Sequence, residues 1–242
     1  MKPIVIKLSF IVLIISLFSF KPQKNADQVL IFSKTKGFRH KSIEKGVDAI
    51  KKLGEQNNFN VTKTEDSSYF NFTNLKKYQT IIFLSPTGKN LFNDKQKEIF
   101  KKYIQKGGGF VGIHAAADSN YEWEWYGKMV GGYFESHPKI QEAKLEIKNN
   151  KHLSTNHLSE FWIHTDEWYN YKNFNPDVNI LINLDEKSYT GGKMGDSHPI
   201  AWYHEFEGGK IFYTGLGHAE ESYSNADFLK HLAGGINYAL GR

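Results

Sequence analysis

Cysteine is absent from all 242 residues of the sequence. The chain therefore forms no disulfide, and it offers no thiolate nucleophile, no cysteine-ligated zinc site and no lipoprotein attachment point. It also lacks the G-K-[ST] motif that binds phosphates, and the H-E-x-x-H and G-x-S-x-G motifs of hydrolases. Residues 107–112 match G-x-G-x-x-G, but these glycines precede and enter a predicted strand instead of following one, so the context of a phosphate-binding turn is missing. These absences argue against a nucleotide cofactor and leave histidines and carboxylates to carry chemistry.

After the N-terminal stretch, the chain has no strong excess of positive or negative charge. Four lysines (Lys2, Lys7, Lys21 and Lys24) lie in an N-terminal stretch without acidic residues and supply most of the formal charge of +5. Without them, 27 basic residues stand against 26 acidic ones. The remaining chain is nearly neutral, so we expect no nucleic-acid partner.

Residues 1–24 are typical of an export signal. Lys2 and Lys7 precede an uncharged apolar run over residues 8–20, which is short for a membrane span. No clear pair of small residues marks a cleavage site. Two alternatives follow: a cleaved signal peptide with a periplasmic or extracellular product, or an uncleaved N-terminal anchor that contacts the membrane.

Residues 25–242 are predicted to form one α/β domain. Apolar runs predict buried strands over residues 29–33, 80–85 and 109–113, and a short strand over residues 60–64. Helices are predicted to begin at the N-caps Ser42 and Asn93 and to end near Asn57 and Gly107. Such alternation of strands and helices favours a parallel sheet.

The second half of the domain is less regular. We expect a short helix over residues 121–132, strands over 139–147, 161–164 and 178–184, and a hairpin of two strands over 200–205 and 210–215 that turns at 206–209. A last helix is predicted over residues 227–240.

Histidines placed after strands or glycine turns are the main candidates for chemistry: His40, His114, His137, His198 and His218. Acidic residues accompany them: Asp118, Glu135, Asp166, Glu167, Asp196 and Glu220. Imidazole and carboxylate at the carboxyl edge of a sheet can bind a metal or exchange protons. The alternative is that each histidine simply hydrogen-bonds to backbone in a surface loop, which is our expectation for His152, His157 and His231.

Aromatic residues form a second group: Tyr121, Trp123, Trp125, Tyr126, Trp168 and Tyr169. Rings beside carboxylates are typical of sugar sites, because a ring stacks on the apolar face of a pyranose. Packing in the core is the alternative explanation for the same rings.

Four stretches together resemble the ThuA-like family, which is named for trehalose utilisation, and the resemblance covers residues 28–240. They are residues 37–43, residues 109–118 with 125–126, residues 131–138, and residues 198–202 with 212–218. The resemblance implies a flavodoxin-like three-layer sandwich with a mainly parallel central sheet, as in class I glutamine amidotransferases.

The same resemblance assigns a meaning to His114. Amidotransferases carry their cysteine nucleophile between glycines at a strand-to-helix elbow, and His114 occupies that place here. His218 and Glu220 are similar to the catalytic His-x-Glu pair of those enzymes. Without a thiol, glutamine hydrolysis through a thioester is excluded.

The family's association is with sugar catabolism, often beside oxidoreductases that form 3-keto-glycosides. The implied function is hydrolysis or elimination of a glycoside or 3-keto-glycoside, such as a trehalose-type disaccharide. His114 and His218 would act as base and acid with Glu220 orienting His218. Alternatively, His114 would bind a divalent zinc, manganese or iron ion together with His40 and His137.

Five residues are expected to hold the sugar or keto-sugar: Asp118, Trp125, Tyr126, Glu167 and Trp168. A protein of another class stays open as the alternative. In that case the chain is a carbohydrate-binding or accessory protein that keeps a degenerate amidotransferase pocket without turnover.

Overall fold

The structure, a computed structural model, describes residues 25–242, so the predicted leader at residues 1–24 lies outside the described residues. The strands are β1 (Asp27–Phe32), β2 (Phe59–Thr64), β3 (Thr80–Leu84), β4 (Gly109–Ile113), β5 (Tyr133–Ser136), β6 (Gln141–Ile147), β7 (Phe161–Asp166), β8 (Asn170–Lys172), β9 (Asn179–Leu184), β10 (Pro199–Phe206) and β11 (Gly209–Thr214). The α-helices are α1 (Ser42–Asn57), α2 (Phe72–Leu75), α3 (Asp94–Gln105), α4 (Glu124–Val130) and α5 (Ala226–Ala239). None of these helices is long and apolar enough to cross a membrane.

Nine strands form one sheet in the order β2-β1-β3-β4-β11-β10-β9-β6-β7. Neighbours from β2 to β11 are parallel, whereas those from β11 to β7 are antiparallel. Strands β5 and β8 form a separate antiparallel pair. The parallel half brings the ends of β1, β4 and β11 to one carboxyl edge of the sheet.

Helices cover both faces of the parallel half, because consecutive side chains of a strand point to opposite faces. The Phe83 ring stacks on Phe100 of α3, with ring centroids 5.4 Å apart. The next residue, Leu84, contacts α1 at Gly46, where an added Cβ would lie 3.1 Å from the Leu84 side chain. The predicted flavodoxin-like three-layer sandwich is confirmed.

Most predicted elements are present with small shifts at their ends. The helix expected over residues 121–132 is confined to α4, and the strand expected over residues 161–164 continues to Asp166. The predicted hairpin is β10–β11, and its turn residues Glu207 and Gly208 both have positive φ. That conformation fits the twist of antiparallel strands joined by a two-residue turn.

The N-termini of the two long helices differ from each other. Asn93 caps α3 with a full capping box, in which Asn93 and Gln96 each bind the other's backbone N–H. The prediction of Ser42 as the N-cap of α1 is wrong, because Lys41 holds that position without a side-chain cap. Ser42 instead donates its hydroxyl to the Gly217 carbonyl at 3.0 Å, which ties α1 to the segment after β11.

His231, on α5, is fully buried, and its Nδ1 donates to the Ser154 carbonyl at 3.0 Å. Burial lowers its pKa to about 3, compared with about 6.5 in an unfolded chain. Between these pH values the unfolded chain takes up a proton that the folded chain does not. The contribution of His231 to the free energy of unfolding is therefore most favourable above about pH 6.5, and it decreases as the pH falls below that value.

We expect His231→Gln to make the free energy of unfolding less sensitive to acid. The amide keeps an N–H donor but does not titrate, so it removes up to about 1.4 kcal/mol of destabilisation per pH unit below pH 6.5. Urea unfolding at pH 7.5 and 5.0 measures the difference. His137→Gln is the control, since the His137 side chain is 43% exposed. The prediction is contradicted if the free energy of unfolding decreases equally from pH 7.5 to pH 5.0 in the wild type and in His231→Gln.

Candidate functional site

His114 stands at the sharp turn where β4 ends and a 3₁₀ helix over His114–Asp118 begins. Its φ is +48°, a left-handed conformation that disfavours residues with a side chain. The imidazole is fully buried, and its Nδ1 lies 2.8 Å from the Gly215 carbonyl oxygen. A carbonyl only accepts, so Nδ1 carries a proton, and Nε2 faces the neighbouring segments.

Three more side chains meet His114 at this edge: His40 before α1, Glu167 after β7 and His218 after β11. The His114 Nε2 is 3.1 Å from His218 Nδ1 and 3.5 Å from Glu167 Oε2. His218 Nδ1 and Glu167 Oε2 are themselves 3.1 Å apart. The His40 ring packs edge-on against the rings of His114 and His218. We call these four residues the histidine cluster.

Burial and charge set the protonation of the histidine cluster. Burial, together with the charges of His114 and His218, lowers the pKa of His40 to about 2, so His40 is neutral. Burial alone would raise the pKa of Glu167, but hydrogen bonds to His114 and His218 bring it well below its usual range. Burial opposes the charged form of His218, yet the Glu167 carboxylate raises its pKa overall. His218 and Glu167 thus form a charge-assisted pair.

Asp166, the last residue of β7, fixes the segment that carries His218. Its fully buried carboxylate accepts hydrogen bonds from the backbone N–H of Gly217 at 2.7 Å and of Ala219 at 3.0 Å. It also accepts the Ser222 hydroxyl at 3.0 Å. These bonds hold the residues on both sides of His218, so the edge strand β7 and the end of β11 are locked together.

His137, Tyr169 and Asp118 surround the histidine cluster. His137 Nδ1 lies 3.0 Å from Glu167 Oε1, and its ring is partly exposed. The Tyr169 ring packs on His114, with centroids 4.2 Å apart. Asp118 accepts the Tyr121 hydroxyl. Burial raises the pKa of Asp118, although that hydrogen bond partly opposes the shift.

The donor atoms of the histidine cluster suit a divalent metal ion. One donor atom from each of the four residues lies within 4.8 Å of the others. Their shorter separations resemble the edges of a tetrahedral site, where bonds of about 2.0–2.1 Å place ligands about 3.3 Å apart. The Nδ1 of His40 is buried without a hydrogen-bond partner among the described residues. His40, His114, His218 and Glu167 could therefore hold a zinc, manganese or iron ion.

His137 was predicted as a metal ligand, and the structure places it differently. It follows β5, which belongs to the separate two-stranded sheet. Its Nδ1 contacts Oε1 of Glu167, whereas His114 and His218 contact Oε2 of the same carboxylate. His218 and Glu167 take the position in the cluster that the sequence assigned to His137. The residues around His114 differ from the predicted set because two segments distant in sequence, after β7 and β11, converge on His114.

The predicted pairing of Glu220 with His218 is also corrected. Glu220 begins a 3₁₀ helix over Glu220–Ser224, and its carboxylate lies 3.7 Å from the ammonium of Lys45 on α1. Within residues 25–242 it makes no hydrogen bond to His218. Glu167 occupies the orienting position, so the acid that partners His218 comes from another strand.

The three predicted sugar-binding rings pack in the core or, for the partly buried Trp125, against it. Tyr126 is fully buried and donates its hydroxyl to the Ala116 carbonyl, and Trp168 is fully buried with its indole N–H on the Gln141 carbonyl. Trp125 packs against Trp123 and Phe206. The core-packing alternative describes all three rings. Only Asp118 and Glu167 of the predicted sugar-binding set lie at the histidine cluster.

Sequence reasoning named Asp166 among the candidate acids and Tyr169 among the candidate aromatics, but it gave neither a specific role. Nothing in the spacing of Asp166 marked it as the residue that fixes the segment of His218. Residues 166–169 are all buried, so no alternation of buried and exposed residues indicated which of them meets His114.

A cleft of about 490 Å³ leads to His218 and is lined by exposed Phe38 and Ile140 and by Glu220 and Glu221. The Phe38 ring is 64% exposed and packs edge-on against His40. The aromatic ring available beside the histidine cluster is therefore Phe38, which sequence reasoning did not select.

Comparisons with known proteins agree with this architecture. A ThuA-like protein from Bacteroides uniformis has 26% identity and a TM-score of 0.77, with 92% of this chain and 95% of that chain covered. A ThuA-like protein from Parabacteroides merdae has 20% identity and a TM-score of 0.73, with 90% of each chain covered. A cytoplasmic protein from Salmonella typhimurium has 11% identity and a TM-score of 0.62, covering 88% of this chain and 98% of that one.

A search of curated proteins gave no significant match. The family model described as "ThuA: Trehalose utilisation" matches residues 28–239, nearly the whole described domain, and supports a role in sugar metabolism. The chain belongs to the ThuA family, within the class I glutamine amidotransferase-like superfamily.

Proposed function

We propose that this protein is an enzyme of sugar catabolism that cleaves a glycoside or 3-keto-glycoside by histidine acid–base chemistry. The observation that carries the proposal is the contact of His218 Nδ1 with both Glu167 and the Nε2 of His114. A buried carboxylate that orients one imidazole beside a second is suited to moving protons near neutral pH.

The reaction that suits this geometry is elimination from a 3-keto-glycoside. The ketone at C3 acidifies the C2–H bond, and His114 or His218 takes that proton. The C–H electrons form a C1–C2 double bond, and the bond from C1 to the glycosidic oxygen breaks. The other imidazole gives the departing oxygen its proton, so nothing is oxidised or reduced. Attack of water at C1 in place of elimination gives the hydrolytic version of the same proposal.

Access to the reacting groups is through the cleft at His218. The side chains of His114 and Glu167 are buried, whereas that of His218 is 19% exposed. Its other ring nitrogen, Nε2, makes no hydrogen bond to any residue in the described part of the chain. Phe38 and Ile140 offer apolar surface for the face of a sugar ring. Asp118, whose pKa is raised, is a further hydrogen-bonding group beside the cluster.

A divalent metal is the alternative use of the same four side chains, since His114, with Nδ1 on the Gly215 carbonyl, could not both bind a metal through Nε2 and transfer a proton. His40, His114, His218 and Glu167 would hold it, and when bound it would stabilise negative charge on a sugar carbonyl or enolate oxygen.

The proposal extends to location. Lys2, Lys7 and the apolar residues 8–20 support export to the periplasm or beyond, with residues 1–24 acting as a signal or as an anchor. A sugar or keto-sugar is the proposed partner of the exported domain.

The principal test compares Glu167→Gln with Glu220→Gln on 3-keto-trehalose and unmodified trehalose. We expect Glu167→Gln to lower kcat/KM by at least about 100-fold, because it removes the carboxylate that charges and orients His218. Glu220→Gln should change kcat/KM less than about fivefold, since an exposed ion pair contributes little. Chromatography and mass spectrometry detect the monosaccharide or 2-hydroxyglycal product.

Two outcomes would contradict the assignment. A larger loss with Glu220→Gln than with Glu167→Gln would restore the predicted His218–Glu220 pair. A wild-type protein that binds these sugars and converts none, with or without added zinc, manganese or iron, would favour the carbohydrate-binding alternative.

The metal site has its own prediction. His218→Ala should weaken zinc binding by more than about 100-fold because it removes a ligand, while His137→Ala should weaken it by about tenfold or less through its contact with Glu167. Isothermal titration calorimetry of protein stripped with a chelator measures both affinities. If His137→Ala weakens zinc binding more than His218→Ala does, the ligand set of His40, His114 and His137 is the correct one.

A further inference from the structure

A second cavity, of about 710 Å³, opens at the amino edge of the sheet, far from the histidine cluster. Its lining includes Gln79, Gly108 and Gly208, which directly precede β3, β4 and β11. His114 and His218 follow the same two strands β4 and β11, so the two cavities lie at opposite edges. We call this second cavity the basal groove.

The walls of the basal groove are mostly apolar. They come from α2, α3 and the C-terminal end of α5, and they include Leu75, Tyr78, Ile99, Tyr103 and Leu240. Phe72 stands at the same groove with 61% of its surface exposed. Apolar surface gathered in a concavity typically marks a place where an apolar ligand or partner binds.

Four lysines line the basal groove: Lys76, Lys102, Lys106 and Lys210. No Asp or Glu is among its lining residues. Lys76 and Lys106 lie over the Phe72 ring at 5.9 and 5.2 Å. The neighbouring acid Glu207 is exposed and accepts a hydrogen bond from Gln105. Glu205 lies opposite Lys210 in the register of β10 and β11. The lining itself therefore combines apolar residues with four lysines and no acid.

A purely structural explanation accounts for only part of this arrangement. Lys102 lies in the last turn of α3, and Lys106 is directly at its end, where a cation complements the helix dipole. Lys76 is the C-cap of α2, a helix of four residues, whereas Lys210 lies on β11 and has no helix terminus to complement. All four lysines nevertheless line the same cavity, which is the feature that they share.

We propose that the basal groove binds an amphipathic anion, a linear hydrocarbon chain that ends in a carboxylate, as in a fatty acid. The hydrocarbon would lie along the apolar walls, and the lysines would bind the carboxylate. The chain's own apolar residues 8–20 are the less suitable occupant. Lys2, Lys7, Lys21 and Lys24 accompany them without any acid, so the groove lysines would repel that segment.

The test uses the purified protein and dodecanoate below its micelle concentration, with binding measured by calorimetry. Each added CH₂ from octanoate to dodecanoate should tighten binding by about three- to fourfold. Dodecanol, which has no charge, should bind at least about tenfold more weakly than dodecanoate, because it cannot pair with the lysines.

Paired variants separate the groove from general attraction by lysines. Lys102→Gln with Lys106→Gln should weaken dodecanoate binding at least about tenfold and leave dodecanol unchanged. Lys51→Gln with Lys52→Gln removes two exposed lysines of α1 outside the groove and should change nothing. Phe72→Ser should weaken both ligands, and since Phe72 is exposed the variant should keep the wild-type circular dichroism spectrum.

Three results would overturn the proposal: no saturable binding of dodecanoate to the wild type, equal affinity for dodecanol, or unchanged affinity in the Lys102/Lys106 variant. Binding to vesicles of anionic lipid without binding of free dodecanoate would assign this face to a membrane surface instead. None of these measurements depends on sugar turnover, so they are independent of the function proposed for the histidine cluster.

Discussion

The buried carboxylate of Asp166 is the interaction on which the site depends. β7 is the last strand of the sheet, five places from β4, yet its end lies against the segment after β11. A carboxylate without partners in this position would be costly to bury, whereas the N–H groups of Gly217 and Ala219 satisfy it. One set of hydrogen bonds therefore places both Glu167, the next residue in the chain, and His218.

The elbow at His114 provides the other half of the site. Its left-handed backbone turns the imidazole back under the sheet edge, and the Gly215 carbonyl selects the nitrogen that faces the cluster. In an amidotransferase, the corresponding residue is a nucleophile and meets its base across the same edge. Here two imidazoles share that edge with a carboxylate, which suits proton transfer or metal binding, and no thiol is present for the thioester chemistry of those enzymes.

Sequence reasoning located the parts of the site that depend on local structure. The strand of β4 and the glycines around it placed His114 at the carboxyl edge, and the motif after β11 placed His218 there too. It chose Glu220 because His218 and Glu220 resemble the His-x-Glu pair of amidotransferases, whereas the fold supplies Glu167 from the segment directly after β7. Trp168 and Tyr169 show the same limit. Their composition suggested a sugar site, but the register of the chain after β7 decides that Tyr169 meets His114 and Trp168 enters the core.

The segments of the histidine cluster are spread along the chain, from residue 40 to residue 218. Contacts over such sequence distances form late in folding, because closing the long loops between them costs entropy before the contacts stabilise the chain. A chain synthesised only as far as β10 holds three of the four donor groups and lacks both His218 and the backbone that Asp166 binds. The site therefore comes into existence only after the last strand of the chain, when His218 reaches the carboxyl edge.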